Sequence, residues 1–205
     1  MYGDSTMFGL EYVDGTPQGT NGKYAGTPNN APAELTKLLQ GTIGPNVSAA
    51  GVSKSGATIR DAVLGQNGFA APLAQVLASD PNRIILENFG INDSVQYSTD
   101  EFRQYLIEFI TIAQRAGKLV ILETPQPTCD MATGKSWDNK NASVVIQVAA
   151  QMGLSVIDQY SYIQTLPDWC ASYMGDGTHP KDDRLYAVKS AFEYSVVSQV
   201  IKLLL

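Results

Sequence analysis

The chain has 205 residues, of which 44% are hydrophobic and 17% charged, so it carries enough apolar surface for a packed core and is neither disordered nor fibrous. That length suits one domain spanning residues 1–205. Fourteen Lys and Arg against 20 Asp and Glu give a net charge of −6, so the cationic surface that neutralises phosphates is missing, and neither nucleic acid nor an anionic membrane is expected as a partner.

The N-terminus, Met1-Tyr2-Gly3-Asp4-Ser5, has neither the basic segment nor the apolar stretch of a secretory signal, unless one was trimmed upstream. Residues 14–32 are rich in Gly and Pro and read as a long surface loop. A helical pattern from Pro32 to Gln40, closed by Gly41, places Leu35, Leu38 and Leu39 on one side, and Asn46 to Ala50 follows as a short strand. Arg83 to Phe89 is a compact apolar run suited to a buried parallel strand, ending at Gly90 in a loop. Ser98 and Glu101 form a capping box, and Phe102, Leu106, Phe109, Ile110 and Ala113 recur at helical spacing until Gly117. Leu119 to Leu122 is a second buried strand, followed by a loop containing Pro125 and Pro127. Helical spacing returns from Asn139 to Met152, Leu154 to Ile157 is another strand, and an irregular stretch runs to Pro180. The last helix, Asp182 to Leu204, carries a stripe of Leu185, Val188, Phe192, Val196, Val200 and Leu203. No stretch is long and apolar enough to span a membrane. Alternating strands and helices imply a parallel sheet covered on both faces, with a site beyond the carboxyl ends of the strands. Three segments qualify there: Gly3 to Gly9, Gly90 to Asp93, and Thr124 to Asp130.

The single histidine, His179, lies in Asp176-Gly177-Thr178-His179-Pro180. An imidazole is the usual general base near neutral pH, and a carboxylate three residues earlier in a tight turn can reach its Nδ1 and fix the tautomer. Taken alone, the same tetrapeptide also suits an ordinary surface turn. Ser5, among the small residues of Gly3-Asp4-Ser5, can be a nucleophile only beside a base, and His179 is the histidine available. Asn92 in Gly90-Ile91-Asn92-Asp93 can donate to an oxyanion or simply cap a strand; Gly56 in Ser55-Gly56 can offer its N–H or be a loop glycine. Asp4, Asp93, Asp176 and His179 lack the dense spacing of a metal motif, so no metal is expected. Tyr160, Tyr162, Trp169 and Tyr173 either wall a sugar site or are core, the second reading being favoured for at least half of them. Cys129 and Cys170 lack C-x-x-C spacing and form either one disulfide or two buried thiols; their loops fall at one edge of the sheet, which favours the disulfide.

Together, Gly3-Asp4-Ser5, Gly90 to Asp93 and Asp176 to His179 resemble, in order and spacing, three blocks of the SGNH (GDSL) hydrolase superfamily; of the second block only Ser55-Gly56 aligns. The family's first strand runs into the Gly-Asp-Ser turn, yet only Met1 and Tyr2 precede it here, so either that strand is very short or the native chain begins upstream. The resemblance implies an α/β fold, a three-layer α/β/α sandwich with a central parallel sheet, flavodoxin-like. It further implies Ser5 as nucleophile, His179 as base, Asp176 as its orienter, and an oxyanion hole from the Ser5 N–H, the Gly56 N–H and the Asn92 side chain. No cofactor is expected. The activity implied is a serine esterase working through an acyl-enzyme on a small ester or acylated carbohydrate, with O-acetyl groups on carbohydrate as the leading substrate; thioesterase, lipase or arylesterase action would use the same groups. Two rivals are an acyltransferase with the same triad and a catalytically silent carbohydrate-binding or structural module. The acidic, Gly/Asn/Thr-rich composition and long loops resemble those of secreted or virion-associated members of that superfamily, so the resemblance implies a secreted, periplasmic or virion-associated protein.

Overall fold

In a computed structural model, residues 1–13 and 23–204 are described. In chain order they form β1 (Tyr2–Gly3), α1 (Ser5–Phe8), β2 (Leu10–Tyr12), β3 (Tyr24–Gly26), α2 (Ala31–Thr42), β4 (Val52–Ser53), α3 (Ile59–Leu64) and α4 (Leu73–Leu77). There follow β5 (Ile84–Asn88), α5 (Ile91–Gln96), α6 (Thr99–Arg115), β6 (Leu119–Glu123), β7 (Thr128–Cys129) and β8 (Ser136–Trp137). The chain ends with α7 (Lys140–Met152), β9 (Ser155–Ile157), α8 (Gln159–Gln164), α9 (Trp169–Tyr173) and α10 (Arg184–Lys202). These elements divide between two compact units.

The first unit comprises Met1–Asp4, Val52–Pro125 and Asn139–Asp158. Its five-stranded sheet has the order β4-β1-β5-β6-β9, and every pairing is parallel. Helix α6 begins with the capping box expected at Ser98 and Glu101. The side chains of Phe102, Leu106, Phe109, Ile110 and Ala113 pack with Ile85, Phe89, Val120 and Leu122 of the strand segments and Val144, Val145 and Val148 of α7. Tyr2 meets the Phe109 ring edge-on at 5.5 Å. The expected strand at Arg83 to Phe89 shortens to β5, and the expected loop after Gly90 is helix α5, so Asn92 and Asp93 lie in its first turn. β1 is only two residues long.

Strand alternation puts Glu87 on the same face as Ile85 and Phe89, among the apolar side chains under α6. Burial, opposed by the N–H of Phe89 and reinforced by Asp93 and Asp4, lifts its pKa to about 8. Asp93 is raised to about 7, first by burial and then by Asp4, against the N–H of Ile59 that its carboxylate accepts.

The second unit comprises Ser5–Gly51, Gln126–Asp138 and Gln159–Leu205. Here α2 lies against α10, joined by the Ser190 hydroxyl donating to the Ala31 carbonyl at 3.0 Å. Asn30 caps α2 by accepting from Ala33 N–H. Gly41, expected to end that helix, lies inside it; the left-handed glycine is Gly44, with φ +145°. Asn46 to Ala50 is not a strand: Ala49 spends its N–H on the Thr36 hydroxyl of α2, and the sheet-edge strand is β4 instead. Residues 24–26 are likewise no loop, since β3 pairs antiparallel with β2, and α2 already begins at Ala31; residues 14–22 of the expected loop lie outside the described residues. The irregular stretch before Pro180 contains α8 and α9.

The buried side of α10 differs from the expected stripe. It runs through Leu185, Tyr186, Lys189, Ser190, Glu193 and Val197, while Val188 and Phe192 are half-buried and Leu203 is exposed. The helix buries polar groups that have partners, which a purely apolar stripe does not register. A small core of Cys129, Ile163, Trp169, Cys170, Met174 and Leu185 has Tyr162 and Tyr173 packed against it, so three of the four aromatics before Asp176 serve packing. Tyr160 donates to the Trp137 carbonyl. Cys129 and Cys170 form a disulfide across 41 positions, which in the chain-entropy model stabilises the fold by about 4 kcal/mol.

Two outcomes are expected. Thiol titration of the unfolded, unreduced protein finds no free thiol; two reactive thiols would refute the bond. Because Glu87 and Asp93 hold their protons more tightly folded than unfolded, their contribution is full below the unfolded values of about 4 and is lost as pH rises toward about 8. Urea midpoints of the wild type should therefore fall from pH 5 to pH 8, and Glu87→Gln should flatten that decline; an unchanged slope would contradict the assignment.

Candidate active site

The loop that carries His179 is tight and closed. Met174 and Pro180 form an antiparallel bridge, and Gly175 donates its N–H to the His179 carbonyl at 2.8 Å. Within it the Asp176 carboxylate organises the turn: Oδ1 accepts from the N–H groups of Thr178 (2.8 Å) and His179 (2.6 Å). Its Oδ2 lies 2.9 Å from Nδ1 of His179. Half-burial by itself would raise the pKa of Asp176, but the His179 ring and the two backbone donors outweigh it and hold the carboxyl at about 2. Asp176 therefore stays charged through the neutral range.

Ser5 opens α1, directly after Gly3-Asp4, and is nearly buried. Its Oγ stands 2.9 Å from Nε2 of His179. Ser5, His179 and Asp176, 174 and three positions apart along the chain, are thus joined in one line of hydrogen bonds. With Nδ1–H donating to Asp176, Nε2 carries the lone pair and can accept the hydroxyl proton.

Neighbouring elements fix the loop in place. Tyr12 of β2 donates its N–H to Pro180 O at 2.8 Å, and a Cβ on Gly175 would come within 2.7 Å of the Tyr12 Cβ. Cys129 of β7 donates to Gly177 O at 2.8 Å; Gly177 has φ +86°, and a Cβ there would lie 2.1 Å from the Cys129 carbonyl oxygen. Only glycine meets both conditions at 177. From within, the buried Gln126 donates to Thr178 O at 2.7 Å and accepts from Nζ of the buried Lys189 at 3.3 Å. An ammonium can only donate, so Lys189 fixes which end of the Gln126 amide faces the His179 turn.

Gly56 and Asn92 belong to the first unit. Asn92 donates from Nδ2 to Ala57 O at 2.9 Å, which puts its amide one residue from Gly56 and leaves one amide hydrogen over. Gly56 is exposed, with φ +75° and open space where a Cβ would be. The next carboxylate, Asp93, accepts from Ile59 N–H, so the second and third motif segments are tied at two points.

Tyr24, Gln126 and Lys189 did not stand out in the sequence. Tyr24 of β3 donates to Oδ2 of Asp176 at 3.1 Å and stands edge-on to the His179 ring, centroids 5.2 Å apart. No motif signals such residues, because their roles arise from pairing across 152 and 52 positions. Among the described residues no group of three or more His, Cys, Asp or Glu is placed to hold a metal ion, and no helix is long and apolar enough to cross a membrane.

No curated protein sequence matches the chain. Solved structures do resemble it. A lipase/acylhydrolase from Enterococcus faecalis has a TM-score of 0.68 at 20% identity, covering 96% of this chain and 93% of that one. A catalytic mutant of Axe2, an acetylxylan esterase from Geobacillus stearothermophilus, has a TM-score of 0.63 at 20% identity, covering 97% and 90%. At such identity the likeness shows the fold, the α/β arrangement of SGNH hydrolases with a central parallel sheet flanked by helices, as expected from the sequence. The family model for GDSL-like lipases and acylhydrolases matches residues 1–183, and the chain belongs to that family.

Proposed function

We propose that the protein is a serine esterase that hydrolyses carboxylic esters through an acyl-enzyme. The observation that carries this reading is the hydrogen-bonded line from Ser5 Oγ through the His179 ring to Asp176. In the first step Ser5 Oγ attacks the ester carbonyl carbon while Nε2 of His179 takes the hydroxyl proton. Asp176, ionised above about pH 2, stabilises the imidazolium that results. The tetrahedral oxyanion is assigned, from the motif resemblance, to the N–H groups of Ser5 and Gly56 and the Asn92 amide. His179 then returns the proton to the departing alkoxide, leaving acyl-Ser5, and water attacks that ester by the same route in reverse.

O-Acetyl groups on carbohydrate are the substrates proposed. Support comes from the structural likeness to an acetylxylan esterase. An acyltransferase would share the acyl-enzyme and differ only in the acceptor. A silent module is disfavoured because such a role gives no reason to hold a buried serine, an imidazole and a charged carboxylate in line. The buried disulfide supports an extracytoplasmic site of action.

Hydrolysis of p-nitrophenyl acetate should be lost by roughly three orders of magnitude or more in Ser5→Ala; equal rates in the two proteins would sink the esterase reading. Loss of activity on the acid side should follow one ionisation, that of His179, because Asp176 remains charged until about pH 2. An acid limb that persists with the same midpoint in His179→Ala would assign the base elsewhere.

A further inference from the structure

The Asp176 carboxylate has one more partner than the serine–histidine–aspartate line requires. Its Oδ2 receives both the His179 ring nitrogen at 2.9 Å and the Tyr24 hydroxyl at 3.1 Å. The Tyr24 ring also flanks the imidazole, edge to face, 5.2 Å between centroids and 72° between planes. One side chain therefore touches both the base and the group that orients it.

Its placement is built into the fold. Tyr24 and Tyr12 are cross-strand partners in the β2–β3 ladder, with rings 5.4 Å apart in an edge arrangement. The Tyr12 backbone grips the catalytic loop at Pro180 and Gly175. The register that lets Tyr12 hold the loop is thus the register that delivers the Tyr24 hydroxyl to Asp176. Burial, and then the bond to Asp176, raise the Tyr24 pKa above the ordinary phenol value, so the hydroxyl keeps its proton and remains a donor.

We propose that Tyr24 is a positioning residue of the esterase site: its hydroxyl shares the charge on Asp176 Oδ2, and its ring fixes the plane of His179. This inference rests on the esterase reading above. A second donor on the same oxygen withdraws part of the negative charge that would otherwise stabilise the imidazolium, so Tyr24 sets how strongly His179 holds a proton. Among the described residues, the groups facing the imidazole are Ser5 from α1, Asp176 from its own loop and Tyr24 from β3, with Tyr12 behind Tyr24. Cys129, which abuts the loop at Gly177, is in the disulfide, and the Lys181 ammonium is engaged by Ala171 O.

Because the chain has one histidine, its imidazole C–H resonance can be titrated by NMR without ambiguity. Tyr24→Phe keeps the ring and removes the hydroxyl. The titration midpoint should move upward by a few tenths of a pH unit, the acid limb of kcat/KM should move with it, and kcat on p-nitrophenyl acetate should fall roughly three- to tenfold with little change in KM. Tyr12→Phe, which keeps the neighbouring ring but touches no catalytic group through its hydroxyl, should leave the midpoint in place. An unmoved or lowered midpoint in Tyr24→Phe, or an equal rise in Tyr12→Phe, would overturn the inference. The NMR arm needs no turnover, so it reads Tyr24 even if Ser5→Ala shows the esterase reading to be wrong.

Discussion

The site depends on one carboxylate that is structural and electrostatic at once. Asp176 Oδ1 closes the turn by accepting the N–H groups of Thr178 and His179, and Oδ2 of the same group faces the ring that the turn presents. A protonated Asp176 would lose part of the turn as well as the charge opposite the imidazole. Backbone donors therefore do two things: they set the geometry, and they keep the acid ionised against the cost of burial. A turn held only by backbone bonds would leave the carboxylate free to rotate away; a carboxylate held only by the histidine would leave the turn loose.

The loop around that carboxylate is assembled from distant parts of the chain. The β2–β3 hairpin holds it at Pro180, the β7–β8 hairpin holds it at Gly177, and Gln126 holds it at Thr178. Each contact is short and backbone-directed, and the close approach of Tyr12 and Cys129 leaves no room for a Cβ at Gly175 and Gly177. The disulfide fixes β7 to α9, the helix that leads into the loop. The hydroxyl of Ser5 can lie at hydrogen-bonding distance from Nε2 only because these restraints leave the imidazole little room to swing.

The legible part of the molecule was the part encoded locally. Helices α6 and α7 and strands β5 and β6 were readable because a capping box, apolar periodicity and terminal glycines all lie within a few residues of one another. Ser5, Asp176 and His179 were readable because ordered short motifs carry them, although the motifs alone did not say that the three side chains meet. Helices α3, α4 and α5 leave no readable apolar period in the sequence, because five or six residues give too little periodicity to register. The α10 stripe was misplaced for a different reason: Lys189, Ser190 and Glu193 are polar, and polarity reads as exposure until a partner such as Gln126 or Ala31 is known. Tyr24 could not be found at all from sequence, since its meaning lies in a strand pairing whose partner is Tyr12 and a bond to a residue 152 positions away.

Carboxylates in this chain sit in two opposed environments, and the difference follows from what each one faces. Asp176 meets three N–H donors and a hydroxyl and is held at about 2. Glu87 accepts the N–H of Phe89 and Asp93 accepts backbone N–H groups including that of Ile59, but burial and neighbouring acids outweigh these donors and push the two to about 8 and 7. The formal charge of −6 counts all of them as ionised. Near neutral pH a share of the acidity inside the first unit is therefore proton-bound, while the acid beside the histidine is fully charged. The chain thus holds a carboxylate that stays ionised opposite His179, while Glu87 and Asp93, buried and within reach of Asp4, keep their protons to higher pH.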